Sequence, residues 1–256
     1  MNQTAMAAVN LKAVLRTLEK LPELDPKSKQ LLEHVPLTLQ FKAANVGSVR
    51  LKLGNGKIEF FPGGGPADMS LGFPVPNMVN KMFEGKGIPV PLKGFTKLKY
   101  LTGTFTEVTD RLSYYLRPTP QLLQDPEFAR INSLLTLHVA VYAMAEIANH
   151  DPKGVQVAKG MCDGTIGLKI ANGPALTMVI NDHHARIVDG DEPKAAGPHG
   201  RHAFMVFSDL DTTGQVLRGE LASYPAIGRE LIKLGGYVPL LDNMNKILGM
   251  VPFYLS

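Results

Sequence analysis

The sequence predicts an α+β protein made of two tandem repeats, each with a mostly antiparallel sheet of five strands. Three observations predict it. Phe41-Lys-Ala-Ala-Asn45 lies over Leu168-Lys-Ile-Ala-Asn172, and the register runs without a gap to Gly63 over Gly190. Apolar residues alternate at a period of two in three successive segments of each half. Each half then closes with apolar residues at helical spacing. Antiparallel strands followed by crossover helices fit α+β and not a doubly wound sheet.

The elements follow in order. Copy one opens with a helical segment over Ala7 to Leu21 and a second piece near Lys27 to His34. Copy two opens with a helix over Pro126 to Asn149, with Asp125 at the N-cap and Pro126 at the first helical position. Strands are expected at about 37–43, 47–53 and 57–61, and again at 164–171, 175–180 and 184–188. Asn55-Gly56 falls on Asp182-His183, at the tip of a hairpin in both copies. Copy two then inserts seven residues within the loop Asp191 to Gly200.

A fourth strand is expected at 67–73 and 202–207, with Met69, Leu71 and Phe73 over Ala203, Met205 and Phe207. Val75, Met78, Val79, Met82 and Phe83 make one apolar face of a short helix. Its counterpart runs from Asp209 to Arg218 and stops at Gly219, a suitable C-cap. The match continues with Gly85 over Gly219, Pro91 over Pro225, Gly94 over Gly228 and Lys99 over Lys233, which puts a short strand near 97–101 and 231–235. Closing helices carry Leu101, Phe105, Val108, Leu112 and Tyr115 in copy one. Tyr237, Leu240, Leu241, Met244, Ile247, Leu248 and Val251 do so in copy two. Arg117-Pro-Thr-Pro120 reads as the linker, so the repeats span 1–120 and 121–256.

Composition narrows the function classes. A chain of 256 residues, 45% apolar, has enough length for two cores. Its one cysteine, Cys162, allows no intramolecular disulfide and no thiolate metal set, which fits a reducing compartment. Lys12, Arg16 and Lys20 interrupt the first 21 residues, so no signal-peptide core is expected. The most apolar stretch, Leu134 to Ile147, contains His138 and Glu146 and is shorter than a bilayer span. A soluble, cytoplasmic protein is the expectation. Residues 1–125 carry 16 Lys/Arg against 10 Asp/Glu, a net +6, and residues 126–256 carry 11 against 13, a net −2. The basic half lacks the clustered cations and interleaved aromatics of a nucleic-acid face, so no nucleic-acid partner is expected. It fits an ordinary solvated surface, an anionic ligand or a transient contact with an anionic membrane. In the last case Lys12, Arg16 and Lys20 would guide docking from the side opposite the apolar stripe Leu11, Val14, Leu15, Leu18 and Leu21.

These residues resemble the sterol carrier protein type 2 lipid-transfer domain family, as two tandem degenerate copies. In copy one the resemblance rests on Val49 to Phe61, Ala67-Asp-Met-Ser-Leu71, Met82-Phe-Glu-Gly85 and Leu98-Lys99. In copy two it rests on Leu176 to Gly190, Ala203 to Phe207, Leu217-Arg-Gly219 and Ile232 to Gly235. It covers roughly 35–116 and 162–255. It implies a five-stranded sheet with helices on one face and an apolar tunnel between them. It also implies a lipid-like ligand such as a fatty acid, acyl-CoA, sterol or isoprenoid. The extended loop at 190–200 departs from the family pattern.

Pocket candidates are Met69, Leu71, Phe73, Met78, Met82, Phe83, Phe105 and Leu112 in copy one, and Met205, Phe207, Leu217, Leu241, Met244 and Leu248 in copy two. Met69, Met78, Met82, Met205, Met244 and Met250 stand out among eleven methionines, because unbranched thioethers adapt to irregular apolar ligands. Taken singly, each is better explained by core packing; as a set, on the helix that would cover the sheet, they gain weight as a binding wall.

Other constellations carry less. Asp182, His183, His184, Asp189, Asp191, Glu192, His199 and His202 are metal-capable, but their spacing fits no standard zinc set, and a solvated hairpin explains them. His138, Tyr142 and Glu146 share one helix face and suit either a head-group or acid/base role or a hydrogen-bonded row at a core edge. Gly63-Gly-Gly65 precedes a strand, not a helix, so it reads as a turn and not a phosphate loop. Cys162 has no His near it in sequence and reads as inert. No metal or cofactor is expected. Three functions follow in order: non-enzymatic binding and transfer of lipid, a structural or interaction module with closed cores, and a hydrolase using the His-rich 182–202 loop.

Overall fold

Alternation along the first unit becomes sheet register. Leu37, Leu39 and Phe41 on β1 (Leu37–Ala43) stand opposite Leu53, Leu51 and Val49 on β2 (Gly47–Gly54), so cross-strand apolar pairs close one face. β2 pairs with β3 (Lys57–Pro62). On the other side of β1, β4 (Met69–Phe73) runs parallel, and β5 (Val90–Lys93) completes the order β3-β2-β1-β4-β5. The structure, a computed structural model, describes residues 2–192 and 200–255. Its chain divides into two units, Met1–Pro120 and Gln121–Ser256.

The second unit repeats the design. β6 (Gly164–Ile170), β7 (Ala175–Asn181) and β8 (His184–Asp189) form the meander, and β9 (Arg201–Phe207) lies parallel to β6. β10 (Ile232–Gly236) closes the order β10-β9-β6-β7-β8. The protein is thus α+β, with two five-stranded, mostly antiparallel sheets packed with helices.

The duplication extends to backbone detail. The hairpin tips Asn55-Gly56 and Asp182-His183 all have positive φ, at 52°, 69°, 48° and 61°, as a type I′ turn requires. Gly63 donates its N–H to Ser48, and Gly190 donates to Ala175, the same distance along each copy. Leu39, Phe41 and Ala43 face Met69, Leu71 and Phe73 across the parallel pair, and Ile166, Leu168 and Ile170 face Ala203, Met205 and Phe207. Gly85 and Gly219 both end the short helix in the left-handed region.

Beyond that glycine the expected register fails. Residues 97–101 are helical, and the fifth strand of the first unit is β5 at Val90–Lys93. The cause is local. Pro89 and Pro91 hold Ile88 and Val90 extended, and an edge strand tolerates proline. Gly94 (φ 84°) then turns the chain away, and its true counterpart is Gly236 (φ 89°). A Cβ at Gly94 would strike the Asp68 carbonyl, and one at Gly236 the carbonyl of His202. Gly85 and Gly219 are 134 residues apart, Gly94 and Gly236 are 142, so copy two holds eight extra residues. Six of them match the length of an added helix, Ser223–Gly228.

The helices bury their apolar stripes. The first begins earlier than expected, at Gln3–Val9, where the Asn2 side chain accepts the Ala5 N–H at 3.0 Å. It continues through a π turn at Asn10–Val14 to Leu15–Thr17. Leu11, Leu15, Leu18 and Leu21 are buried, and Lys12, Arg16 and Lys20 are half-buried, with Arg16 4.0 Å from Glu19. The Asn10 amide donates to Asn80 at 3.1 Å, joining this helix to Pro76–Phe83.

In the second unit the long helix Pro126–His150 takes the same place, with Asp125 as its cap. Gly214 stands where Asn80 stands in copy one. A Cβ there would strike the Ser133 hydroxyl, so its absence lets the two helices approach. Pro126–His150 is long and apolar enough to cross a bilayer, longer than the apolar stretch alone suggested. Yet 83% of its most apolar window is buried within the protein, as in a core helix.

A buried ion pair ties the first unit together. Asp25 caps the helix Pro26–Leu31, and Arg111 donates Nε and Nη2 to its two oxygens at 3.0 and 2.8 Å. The Tyr115 hydroxyl donates to Asp25 at 3.2 Å. Burial alone would raise the Asp25 carboxyl, but the Arg111 fork and the Ser28 donors hold it at about 2. Burial and the Asp25 charge push the Tyr115 hydroxyl up to about 12.

Two predictions follow from this packing. Asp25 should contribute about 2 kcal/mol above pH 4, lost as pH falls from its ordinary 3.8 toward 2. In Arg111→Met the buried carboxylate loses its partner, so the variant should lose about 3 kcal/mol near neutrality and recover part of it on acidification. Urea melts from pH 7 to 2 measure both slopes, and parallel pH profiles for parent and variant would refute the pairing. Separately, Gly94→Ala and Gly236→Ala should each destabilise by about 2 kcal/mol or more, since the left-handed backbone alone costs about 1–2 kcal/mol. An unchanged melt at either position would break the equivalence of the two glycines.

Candidate functional site

The second unit holds an apolar cavity of about 370 Å³ between sheet and helices. Its floor is β9 and β10. Strand alternation sends Met205 and Phe207 from β9, and Ile232 and Leu234 from β10, into the lining. Three helices make the walls. Leu210–Leu217, capped by Asp209, supplies Val216 and Leu217. The added helix Ser223–Gly228 supplies Ser223, Tyr224 and Ile227. Val238–Leu248 supplies Val238, Leu241, Asp242, Met244, Asn245 and Leu248, at the i, i+3, i+4 spacing of one helix face. Its other stripe, Leu240 and Ile247, is fully buried and anchors the helix.

The depth is buried and the mouth is exposed. Phe207, Ile232 and Met244 are 0–2% exposed, whereas Tyr224 is 82%, Val238 69% and Leu234 40% exposed. Large apolar side chains therefore ring an opening to solvent.

Polar contacts outside the lining hold the walls. Asp209 accepts the Thr212 N–H at 2.7 Å. Burial raises its carboxyl, but the Ser208 and Thr212 donors bring it below its usual range. Arg218 makes two bonds to Glu220, at 2.8 and 2.9 Å, and one to Asn132 Oδ1 at 3.0 Å. The Arg218 guanidinium holds the Glu220 carboxyl below its usual range. The end of the first wall is thereby tied to the long core helix.

All six residues proposed for copy two, Met205, Phe207, Leu217, Leu241, Met244 and Leu248, line this cavity. Met250, half-buried beyond the closing helix, is not in the lining. The eight from copy one are placed differently. Met69, Leu71, Phe73, Phe105 and Leu112 are buried in the first unit's core, with Phe105 6.0 Å from Phe41 ring to ring. Met78, Met82 and Phe83 are half-buried on the helix Pro76–Phe83.

Sequence reasoning missed Tyr224, Ile227 and Ser223 because placing Pro91 over Pro225 hid the added helix. It also omitted Ile232 and Leu234, although their alternation in a short strand already aligned them with Met205 and Phe207.

The other constellations resolve into structural contacts. Among the described residues, no group of three or more His, Cys, Asp or Glu side chains is placed to hold a metal. His183 and His184 sit exposed at the hairpin tip, Asp191 bonds Lys169 at 2.8 Å, and His202 contacts the Thr165 hydroxyl at 2.9 Å. His199 lies outside the described residues. In the His138–Tyr142–Glu146 row, His138 Nδ1 donates to the Leu134 carbonyl at 2.7 Å, and Glu146 lies 3.2 Å from His150. The Tyr142 hydroxyl donates to Asp189 on β8 at 3.1 Å, joining helix to sheet. Gly64 and Gly65 lie against the Gln40 and Arg50 side chains, a turn packed on the sheet. Cys162 is half-buried beside Arg201, whose guanidinium stacks on Tyr237 at 5.2 Å.

If the Tyr142 bond is structural, Tyr142→Phe should destabilise the protein by about 1 kcal/mol. Chemical denaturation reads this directly, and a variant as stable as the parent would remove the bond from the structural account.

Against known proteins, the chain matches no protein-family model and no curated protein.

Proposed function

We propose that this protein binds, and transfers, a lipid-like molecule without chemically changing it, holding its apolar chain in the cavity of the second unit. The observation that carries this reading is the cavity itself. It is about 370 Å³, lined by Met205, Phe207, Ile232, Leu241 and Met244, and opens between exposed Tyr224 and Val238. Its volume lies at the small end of the roughly 300–1,000 Å³ usual for ligand pockets. It suits one acyl or isoprenoid chain of moderate length. Met205 and Met244 give the wall side chains that adjust to an irregular ligand.

The sheet order and the apolar space between sheet and helices also support the resemblance to the sterol carrier protein type 2 domain. In this reading the first unit is a closed relative of the second. Met69, Leu71 and Phe73 fill its core, and no counterpart of the helix Ser223–Gly228 interrupts the path from Gly85 to β5.

A chain-length series tests the proposal. Each methylene buried adds about 0.8 kcal/mol, or about fourfold in affinity. Binding of straight-chain alkyl ligands should tighten by that factor per carbon, then level off once the cavity is full. The chain has no tryptophan, so Tyr224→Trp introduces a single reporter at the mouth, and its emission should shift to the blue on binding. Leu241→Trp should fill the cavity and weaken binding at least about tenfold. No binding of any chain length, or full binding by Leu241→Trp, would defeat the proposal.

A further inference from the structure

We infer that the cavity selects neutral, hydroxyl-bearing single-chain amphiphiles over fatty carboxylates. This rests on the proposed ligand-binding reading and assigns the chemical class of the ligand's head.

The charge of the lining carries the inference. Among the described residues that line the cavity, Asp242 alone is charged, and it is an anion. It lies on the exposed part of the closing helix, its side chain 64% exposed. Its partner Lys246 reaches it at 2.7 Å and also bonds the Asn243 Oδ1 at 3.3 Å. Neither Lys246 nor Asn243 lines the cavity, so the pair presents its negative end to the opening. Arg218 and Lys233, which adjoin lining residues in sequence, are outside it too, and Arg218 is engaged by Glu220 at 2.8 Å.

A bound fatty carboxylate thus finds no Lys or Arg in the lining for a charge-assisted bond, and Lys246 beside the mouth is already engaged by Asp242 at 2.7 Å. It would have to share that cation with a second carboxylate. Two like charges about 4 Å apart in water weaken binding by up to about fivefold. An alcohol has the opposite fit. Its O–H donates to Asp242, and its oxygen accepts from the exposed Asn245 amide or the Ser223 hydroxyl.

The experiment compares decan-1-ol, decanoate and decylamine at pH 8 and low salt, by displacement of N-phenyl-1-naphthylamine and by calorimetry. It uses the full chain as parent, Asp242→Asn and Asp242→Lys, with thermal melts confirming that each is folded. Decanol should bind the parent more than about tenfold tighter than decanoate. Part of that gap is the greater apolarity of the alcohol, so the variants decide. The ratio of the two dissociation constants should shrink at least about fivefold in Asp242→Lys, with Asp242→Asn between. A ratio that is the same in all three proteins overturns the inference, as does decanoate equal to decanol in the parent. Decylamine binding more tightly than decanol overturns the neutral class in favour of a cationic one. If none of the three ligands binds the parent by either method, the ligand-binding reading itself falls.

Discussion

β9 is held in its sheet by parallel pairing with β6 along seven residues, from Gly164 opposite Arg201 to Ile170 opposite Phe207. Everything that forms the cavity depends on that strand. Its inner residues Met205 and Phe207 are floor, and β10 docks on its free edge. The walls are the segments leaving and entering these two strands. A one-residue slip between β6 and β9 would turn Met205 and Phe207 to the other face and put the differently shaped Phe204 and Val206 in their place. The register is fixed by burial on both sides of the pair. Ile166 and Leu168 face Ala203 and Met205, all buried, and Gly164 permits an approach that a Cβ would block against the Arg201 backbone.

Much of this was legible in the sequence. The meanders, hairpin tips, Asp125 cap and fourth strands follow from period-two alternation and turn residues, which depend on neighbours only a few positions away. Met205, Phe207, Leu217, Leu241, Met244 and Leu248 were legible as lining residues because strand and helix periodicity reports which face is buried. What periodicity does not report is whether a buried face meets other side chains or empty space. Met69, Leu71 and Phe73 carry the same alternation as Ala203, Met205 and Phe207, and all six are buried, yet Met205 and Phe207 also line the cavity. The segment opposite them differs between the copies. Identity was too sparse after Gly219 for the eight added residues to be seen. Chance agreements such as Lys99 with Lys233 drew the register through a helix.

The two copies therefore differ in a way that bears on function. Both end their short helix at a left-handed glycine and both bend out of the fifth strand at another, Gly94 or Gly236. Between those fixed points the first unit has room only for a short extended link. The second has room for Ser223–Gly228, a six-residue helix with one buried side chain, Ala226. Its exposed Tyr224 and half-buried Ile227 stand at the cavity. Divergence after duplication acted on the cover and left both sheets intact.

The cavity carries an energetic cost that bears on the proposed function. If 370 Å³ were a sealed void, the cavity term would cost about 9 kcal/mol, as much as the whole stability of a typical domain. The protein avoids that by leaving the space open, at the expense of wetting an apolar wall and exposing Tyr224, Val238 and Leu234. Either repacking or a ligand would relieve that wetting. Repacking requires Val238–Leu248 to move toward β9. That helix is fixed on its other stripe by fully buried Leu240 and Ile247, and its start is set by the Gly236 bend against the His202 backbone. Under the proposed function, a chain entering from solvent would remove this apolar surface from water without moving the wall.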